Sequence, residues 1–207
     1  MSSAPSSSTD AAATRVSKIG LVSDTHGLYD PGLAKALRGS EVILHAGDIG
    51  SPDVLDELRS LAPVYAVQGN VDSPDAGWPL SLDMTLSGLR VHMLHVLPVP
   101  QSDLAAWAQS ARRSPGLSKP AERLLRALDP SVEAVIFGHS HSPCLVALGG
   151  VMWVNPGSAG PKRFKLPRTC ALLEISRDQI AATVHSLEGH VRGLPERIEM
   201  RRKEAAR

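Results

Sequence analysis

Seven aspartate, histidine and asparagine residues of this chain occur in short motifs whose composition is that of a metal site. The candidate ligands are Asp24, His26, Asp48, Asn70, His95, His139 and His141. Carboxylate, imidazole and amide groups without a thiolate favour borderline-hard divalent ions such as Mn, Fe, Zn or Co. Seven ligands exceed the needs of one ion, and two ions bridged by a shared carboxylate would use the whole set. The motifs therefore predict metal-assisted hydrolytic chemistry.

Nearly all of these candidate ligands follow short apolar runs that are typical of buried strands. The predicted strands of this kind are Ile19–Val22, Val42–Leu44, Val64–Val67 and Ala134–Phe137, and the predicted hairpin strands Leu89–His95 and Val151–Val154 also end at polar motifs. In open α/β sheets a ligand site lies beyond the carboxyl ends of the strands. We therefore expect the seven side chains to meet at one edge of the fold.

The remaining segments predict helices between the strands and, in the second half, antiparallel pairs. Helices are expected at Pro31–Arg38, Asp53–Leu61, Ser102–Arg113 and Pro120–Leu128. Hairpin turns and a final antiparallel pair predict the further strands Leu82–Leu86, Leu145–Leu148, Thr169–Ser176 and Ile180–Leu187. The βαβα alternation of the first half favours a mostly parallel sheet, and the whole pattern predicts an α/β fold built as a two-sheet sandwich.

Composition limits the classes of protein to which the chain can belong. Its 207 residues, with 43% hydrophobic residues, are typical of a globular protein with a single main domain. The net charge of +1 argues against binding nucleic acid or a membrane surface by bulk charge, and no apolar run approaches the ~20 residues of a membrane span. Because there are only two cysteines, Cys144 and Cys170, a disulfide framework is excluded and a reducing, cytoplasmic location is expected.

Three regions follow from the distribution of these signals along the chain. Residues 1–16, rich in Ser and Ala, are expected to form a disordered tail, residues 17–190 the folded domain, and residues 191–207 a charged C-terminal extension. Four basic residues follow the last motif: Lys162, Arg163, Lys165 and Arg168. They form either a solvated loop or a rim that guides an anionic substrate, and Arg163 is the first candidate for the second role.

The order of the motifs resembles that of the calcineurin-like metallophosphoesterases. The chain contains D-x-H, G-D, G-N-x-D, a strand-terminal His and G-H-x-H in that order, between Ile19 and Leu187. The absence of a cap domain and the sequence Asn155-Pro156-Gly157-Ser158 after G-H-S-H are similar to the compact bacterial and archaeal phosphodiesterase branch. This resemblance implies an αββα sandwich and a dinuclear metal-dependent phosphodiesterase, in which a metal-bound hydroxide attacks the phosphorus of a small phosphodiester or nucleotide.

The resemblance also implies how the ligands are divided between two divalent ions. The ligands implied for the first ion are Asp24, His26 and His141. Asp48 would bridge both ions, and the ligands implied for the second ion are Asn70, His95 and His139. The residues implied to act in catalysis are Asp48, Asn70 and His95. Manganese is the expected metal, with Fe, Zn, Co or Ni as alternatives.

The chain departs from the family pattern at two places. Val71 follows Asn70 where many members have a histidine that protonates the leaving group, which favours phosphodiesters or activated aryl esters as substrates. After His95, Val96 and Leu97 replace the usual Gly-His. Valine rarely takes a positive φ, so this loop is expected to run differently, and Leu97 removes a polar contact to substrate. His92 is the alternative ligand, although it should point to the opposite face of its strand.

Two residues beside the motifs are expected to support the ligands. His45 is interpreted as a hydrogen-bonded core residue before the Gly47-Asp48 turn, and Asp72 as a residue that orients the Asn70 loop or a ligand histidine.

Two other functions remain open on the sequence. One is a non-catalytic scaffold or binding module of the same fold. A scaffold of this kind is expected to have lost metal ligands, whereas this chain retains all seven. The other is a nuclease, against which the low charge and the aromatic content of 3% argue. Compact relatives often form dimers or larger assemblies, so a homo-oligomer is compatible with the resemblance.

Overall fold

The computed structural model describes residues 16–113, 116–163 and 165–203, so residues 1–15 of the predicted tail lie outside the described residues. The strands, in chain order, are β1 Ser17–Val22, β2 Val42–His45, β3 Val64–Ala66, β4 Ser81–Leu86, β5 Leu89–Leu94, β6 Ala134–Ile136, β7 Cys144–Leu148, β8 Val151–Asn155, β9 Thr169–Ile175, β10 Gln179–Ser186 and β11 Arg197–Arg201. The α-helices are α1 Gly32–Ala36, α2 Pro52–Arg59, α3 Gln101–Arg113 and α4 Lys119–Arg126. A short 3-10 helix covers Pro74–Ala76.

The strands form two sheets. The first sheet has the order β11-β10-β9-β1-β2-β3 and the second the order β4-β5-β6-β8-β7. In the first sheet β1, β2 and β3 pair in parallel, whereas β9 pairs antiparallel with β1, β10 with β9, and β11 with β10. The expectation of a mostly parallel sheet therefore describes only half of this sheet, whereas the expected two-sheet α/β sandwich is confirmed.

Alternation of side chains along the strands produces four layers. In β2, Leu44 packs into the apolar core between the sheets, while Ile43 packs on the outer side with side chains of α1 and α2. In β6, Ile136 faces the central core and Val135 packs with α3 and α4 on the other outer side. Because successive strand residues point to opposite faces, each sheet buries both of its faces, which gives an αββα sandwich.

The parallel strands end at the same level. Val22 at the end of β1 pairs with His45 of β2, and His45 pairs in turn with Ala66 of β3. In the second sheet, the parallel neighbours β5, β6 and β8 also lie side by side. The loops that follow these strands carry the seven candidate ligands, so the sheets present all of them from one edge of the fold.

Part of the segment expected to be a charged extension belongs to the first sheet. β11 pairs with β10 in antiparallel register, and Ile198 and Met200 pack against the central core. The two residues that follow β11 are also attached to the fold. The Arg202 guanidinium and the backbone N–H of Lys203 donate hydrogen bonds to the buried Glu133 carboxylate. The alternation of Ile198 and Met200 with charged residues is the strand signal within this segment.

Candidate metal centre

Four of the candidate ligands form a tight cluster. One ligand atom from each of four side chains lies within 4.8 Å of all the others, and these residues are Asp24, His26, Asp48 and His141. The His26 Nε2 atom is 3.2 Å from His141 Nε2 and 3.7 Å from Asp48 Oδ2. His141 Nε2 is 3.3 Å from Asp24 Oδ1. This is a set of two carboxylates and two imidazoles, a donor set suited to a borderline-hard divalent ion.

His95 and His139 extend this cluster on the Asp48 side. His95 Nε2 lies 3.4 Å from Asp48 Oδ1, and its Nδ1–H donates to the Ala46 carbonyl at 2.7 Å. That bond leaves Nε2 as the lone-pair nitrogen of the neutral ring, pointing toward the carboxylate. The exposed His139 ring stands edge-on to His95 with centroids 5.4 Å apart, and its backbone N–H donates to Asp24 Oδ2 at 3.1 Å.

Asn70 lies on the loop after β3, and this loop is fixed to Asp48. The backbone N–H of Val71 donates to Asp48 Oδ1 at 3.0 Å, while Asn70 itself is exposed. Asp72 accepts from the N–H groups of Gly50 and Gly69 at 2.9 and 2.8 Å. Asp72 therefore ties the Asn70 loop to the loop after β2, which confirms the role expected of it.

The loops that carry the cluster interlock through their backbones. The N–H of Asp24 donates to the Gly47 carbonyl and the N–H of His26 donates to the Asp48 carbonyl, both at 2.9 Å. Two glycines are required where these loops pass close to the ligands. A Cβ at Gly69 would collide with Asp48, and one at Gly138 would collide with the Ser23 hydroxyl. These contacts give a steric reason for the glycines of the G-N and G-H-S-H motifs.

The backbone of most ligands is held in the left-handed region. Five of the seven have a positive φ: Asp24 (54°), His26 (47°), Asp48 (55°), His139 (70°) and His141 (56°). Such conformations are uncommon for residues other than glycine and usually cost about 1–2 kcal/mol each. Strain that is concentrated at one site indicates a functional geometry maintained by the surrounding fold. Asp and His are enriched in this region, but sequence spacing alone did not predict it.

Burial sets the protonation of the cluster. Burial raises the pKa of Asp24 to about 6, against the opposing effect of the Ser23 hydroxyl. Burial would also raise the pKa of Asp48, but the neighbouring His95 ring and the hydrogen bond from the Val71 N–H hold that pKa well below its usual range. Burial, followed by the charge of Arg163, lowers the pKa of His141 to about 4. Without an ion the cluster therefore favours neutral His141.

The site contains polar atoms that the described residues leave without hydrogen bonds. Asp24 Oδ1, His95 Nε2 and His141 Nδ1 are buried and have no hydrogen-bond partner in the described part of the chain. A buried polar atom without a partner is costly unless something else binds it. Asp24 Oδ1 and His95 Nε2 are two of the atoms that face other candidate ligands. The residues present thus fit divalent cations.

Three supporting residues were not assigned from the sequence, and all hold ligand loops in place. Asn155 Nδ2 donates to the Gly138 carbonyl at 2.8 Å, directly before His139. The Ser158 hydroxyl donates to the Asp24 carbonyl at 2.8 Å. The Thr25 hydroxyl donates to the Ile49 carbonyl at 3.0 Å and therefore accepts from His45 Nε2 at 2.9 Å. The N-P-G-S motif was the available signal for Asn155 and Ser158.

The other histidines have different surroundings. His45 is fully buried and hydrogen-bonded to Thr25, as expected, and burial lowers its pKa to about 3. His92, the alternative ligand, pairs with Asp83 at 3.0 Å on the outside of β5. Val96 is not among the described residues with a positive φ, so the loop after His95 follows a path that valine adopts without strain.

The basic residues after the N-P-G-S motif differ in whether they form ion pairs. Lys162 pairs with Glu188 at 3.0 Å, and Arg168 pairs with Asp30. Arg163 and His141 line the same small cavity, and within the described ranges no acidic side chain forms an ion pair with Arg163. Lys165 does not line this cavity, so within the described ranges Arg163 is the cation of this group that lies beside the cluster without an ion pair.

Comparisons with known proteins agree with the fold and with the family that the motifs resemble. The sequence model of the calcineurin-like phosphoesterase superfamily domain matches residues 18–178. A "probable metallophosphoesterase" from Methanothermobacter thermautotrophicus is 32% identical over 172 residues, which cover 80% of this chain and 90% of that protein.

Two solved structures share the fold at low sequence identity. A "predicted phosphoesterase" from Streptococcus pneumoniae has a TM-score of 0.61 at 21% identity, with coverage of 92% of this chain and 100% of its own. Vacuolar Protein Sorting 29 from Cryptosporidium parvum has a TM-score of 0.64 at 18% identity, with coverage of 90% and 97%. At these identities the structures are evidence for the fold alone.

None of the helices in the described ranges is long and apolar enough to cross a membrane.

Proposed function

This chain belongs to the calcineurin-like phosphoesterase superfamily, and from that premise we propose that it is a dinuclear metal-dependent phosphodiesterase acting on a small phosphodiester or nucleotide. One observation carries the proposal: ligand atoms of two carboxylates and two histidines lie within 4.8 Å of one another at the ends of parallel strands. The family supports a metal-dependent phosphoesterase, and the preference for diesters and the second ion are the parts that we add.

The ligands divide into two groups around Asp48. Asp24, His26 and His141 would hold one ion, and His95, His139 and Asn70 would complete the other site. Asp48 suits the bridging role because Oδ2 faces His26 and Oδ1 faces His95, at 3.7 and 3.4 Å. When bound, two divalent ions of this kind activate water as a nucleophile and neutralise the charge of a phosphate ester.

The protein residues orient the substrate more than they transfer protons. Val71, which is 54% exposed beside Asp48, carries no proton for a leaving group. Arg163, on the His141 side, would bind an anionic oxygen of the substrate and offset its charge. A leaving group that departs without protonation must be a weak base, so aryl esters are favoured over alkyl esters, and the preference for diesters among them rests on the family resemblance. Manganese is the metal that we propose for the cell.

Localisation and assembly belong to the same proposal. Cys144 and Cys170 are buried and unpaired, as expected for a reducing compartment, and we assign the protein to the cytoplasm on that ground. The substrate would be a small molecule. A homo-oligomer is compatible with the compact fold.

The proposal is tested by turnover of bis(4-nitrophenyl) phosphate, 4-nitrophenyl phosphate and a short oligonucleotide, each with added manganese. We expect the diester to be hydrolysed faster than the monoester and the oligonucleotide to be left intact. Bound metal, measured on the purified protein, should approach two equivalents. A folded protein that turns over no ester with any of several divalent ions, and that retains no metal at neutral pH, would instead be a binding module of this fold.

A further inference from the structure

A groove of about 400 Å³ runs along the protein surface from the candidate metal centre. Its walls are residues 96–101, which follow His95, and residues 137–140, which include His139. Its volume is within the range of sites that hold small organic groups. Because one wall contains His139 and the other begins directly after His95, the groove adjoins the metal centre.

The position of His139 fixes which end of the groove meets the reacting group. The His139 ring lines the groove and stands edge-on to His95, with centroids 5.4 Å apart. His95 Nε2 is in turn 3.4 Å from Asp48 Oδ1. An ester group of a phosphate held at the cluster would therefore lie within reach of the groove.

The groove wall after His95 is apolar. Val96 is 44% exposed, and Leu97 and Val99 are half-buried against the core under α3 and α4. Pro98 and Pro100 complete this segment, and none of the residues that line the groove is Asp, Glu, Lys or Arg. Leu97 stands where the family pattern has a histidine, so this chain exchanges a polar contact for apolar surface next to its metal centre.

The Gln101 and Ser140 side chains that line the groove are already hydrogen-bonded. Gln101 Oε1 accepts from the Ser140 hydroxyl and from Asn155 Nδ2, each at 2.9 Å. Gln101 Nε2 donates to the Ser142 carbonyl at 3.0 Å. These bonds hold the wall to the G-H-S-H loop and occupy the Gln101 carbonyl oxygen and one of its two amide hydrogens. The groove is therefore suited to apolar contact and poorly suited to recognition of a polar edge.

We propose that this groove binds an apolar ester group of the substrate, such as an aryl group, while the phosphate occupies the metal centre. The inference rests on the proposed function and deepens it, because it names the kind of phosphodiester that the site accepts. The preferred substrates carry at least one bulky apolar ester group, and discrimination among such groups depends on apolar contact with Val96, Leu97 and Val99.

Binding of two phosphonates tests the proposal without requiring catalysis. Phenylphosphonate and methylphosphonate present the same anionic group and differ only in the apolar substituent. Titration calorimetry on the manganese-loaded full chain should give a Kd for phenylphosphonate about tenfold lower, as expected when part of a ring leaves water. The substitutions Val96→Asn and Leu97→Asn should each bring the two Kd values close together. Val96 is exposed, so its variant should fold even if the Leu97 variant does not.

A matched control distinguishes an effect of the groove on binding from a general effect of adding a polar residue to the surface. Leu80 is 74% exposed and does not line the groove, so Leu80→Asn should retain the wild-type ratio of the two Kd values. Equal affinities in the wild type, no binding of either phosphonate, or an unchanged ratio in the Val96 variant would each overturn the proposal. Turnover of bis(4-nitrophenyl) phosphate on the same preparation keeps the two proposals distinct. Turnover without phenyl preference overturns the groove alone, and phenyl preference without turnover overturns the proposed activity alone.

Discussion

The Nε2 atoms of His26 and His141, from loops 115 residues apart in the chain, lie 3.2 Å from each other. Their rings are stacked with centroids 5.1 Å apart, and each Nε2 also has a carboxylate oxygen of Asp48 or Asp24 within 3.7 Å. Two neutral imidazoles can share one proton across this gap, but a divalent cation satisfies both lone pairs and both carboxylates together. We therefore expect the stability and the activity of the protein to depend on bound metal.

Metal should stabilise the fold through His141. Excess manganese should raise the thermal unfolding midpoint, because a ligand at about 100 times its Kd adds about 2.7 kcal/mol to the free energy of unfolding. In the His141→Ala variant the shift should be much smaller, since one imidazole ligand is missing. Thermal unfolding followed by circular dichroism, with and without manganese, measures the shift. His92→Ala removes a surface histidine and should keep the wild-type shift.

Asp48→Asn should abolish most of the activity. The substitution removes the negative charge between His26 and His95, and we expect kcat for bis(4-nitrophenyl) phosphate to fall at least about a hundredfold. Steady-state kinetics with saturating manganese measures the loss. The control is Asp83→Asn, which changes a carboxylate paired with His92 at the surface. If both variants lost activity equally, the role assigned to Asp48 would be wrong.

Asn155 should act as a positioning residue. Its side chain is fully buried, donates to the Gly138 carbonyl and accepts from the Gly157 N–H at 2.8 Å, so it fixes the loop that carries His139 and His141. Asn155→Ala should lower kcat by about 10–100-fold through displaced ligands. The affinity for manganese should fall in the same variant, whereas a purely structural role would leave the metal affinity of the folded fraction unchanged.

The metal-free protein should lose stability as the pH falls, and His45 should account for a large part of the loss. Its pKa is about 3 when folded against an ordinary value of 6.5, so the unfolded chain binds more protons between these values and stability decreases toward acid. The raised pKa of Asp24 acts in the opposite direction over a narrower interval. Urea unfolding in a chelator at about pH 7 and about pH 4.5 measures the difference. His45→Asn should give a shallower pH dependence than the wild type; an identical slope would exclude this role.

Glu133 should stabilise the fold without affecting the site. Its carboxylate is 6% exposed and binds Arg202 and the Lys203 N–H, which joins the chain after β11 to the loop before β6. Glu133→Gln should lower the free energy of unfolding by about 1–3 kcal/mol, because the buried pair loses its charge. Urea unfolding measures this, and kcat should not change. Glu122→Gln removes an exposed i,i+4 pair with Arg126 and should cost no more than about 0.5 kcal/mol.

The sequence by itself determined which residue types follow which strands. Apolar runs such as Val42–Leu44 are local signals, and the structure has β2 at Val42–His45, with Asp48 in the loop beyond it. The two-sheet α/β sandwich followed from the alternation of strands and helices along the chain, and the family resemblance implied its αββα form. The expected meeting of ligands at one edge rested on a general property of parallel strands, and four of them do lie within 4.8 Å.

Only the tertiary structure decided the relationships that depend on distant parts of the chain. The positive φ of Asp48 or His141 is maintained by loops that interlock across the sheet, and no local pattern reports it. The same holds for the groove, where Leu97 forms part of a binding surface only because His139 lies on the opposite wall. Local propensity acts over a few residues, whereas these features arise from contacts between residues tens of positions apart, which the pattern of a single segment does not encode.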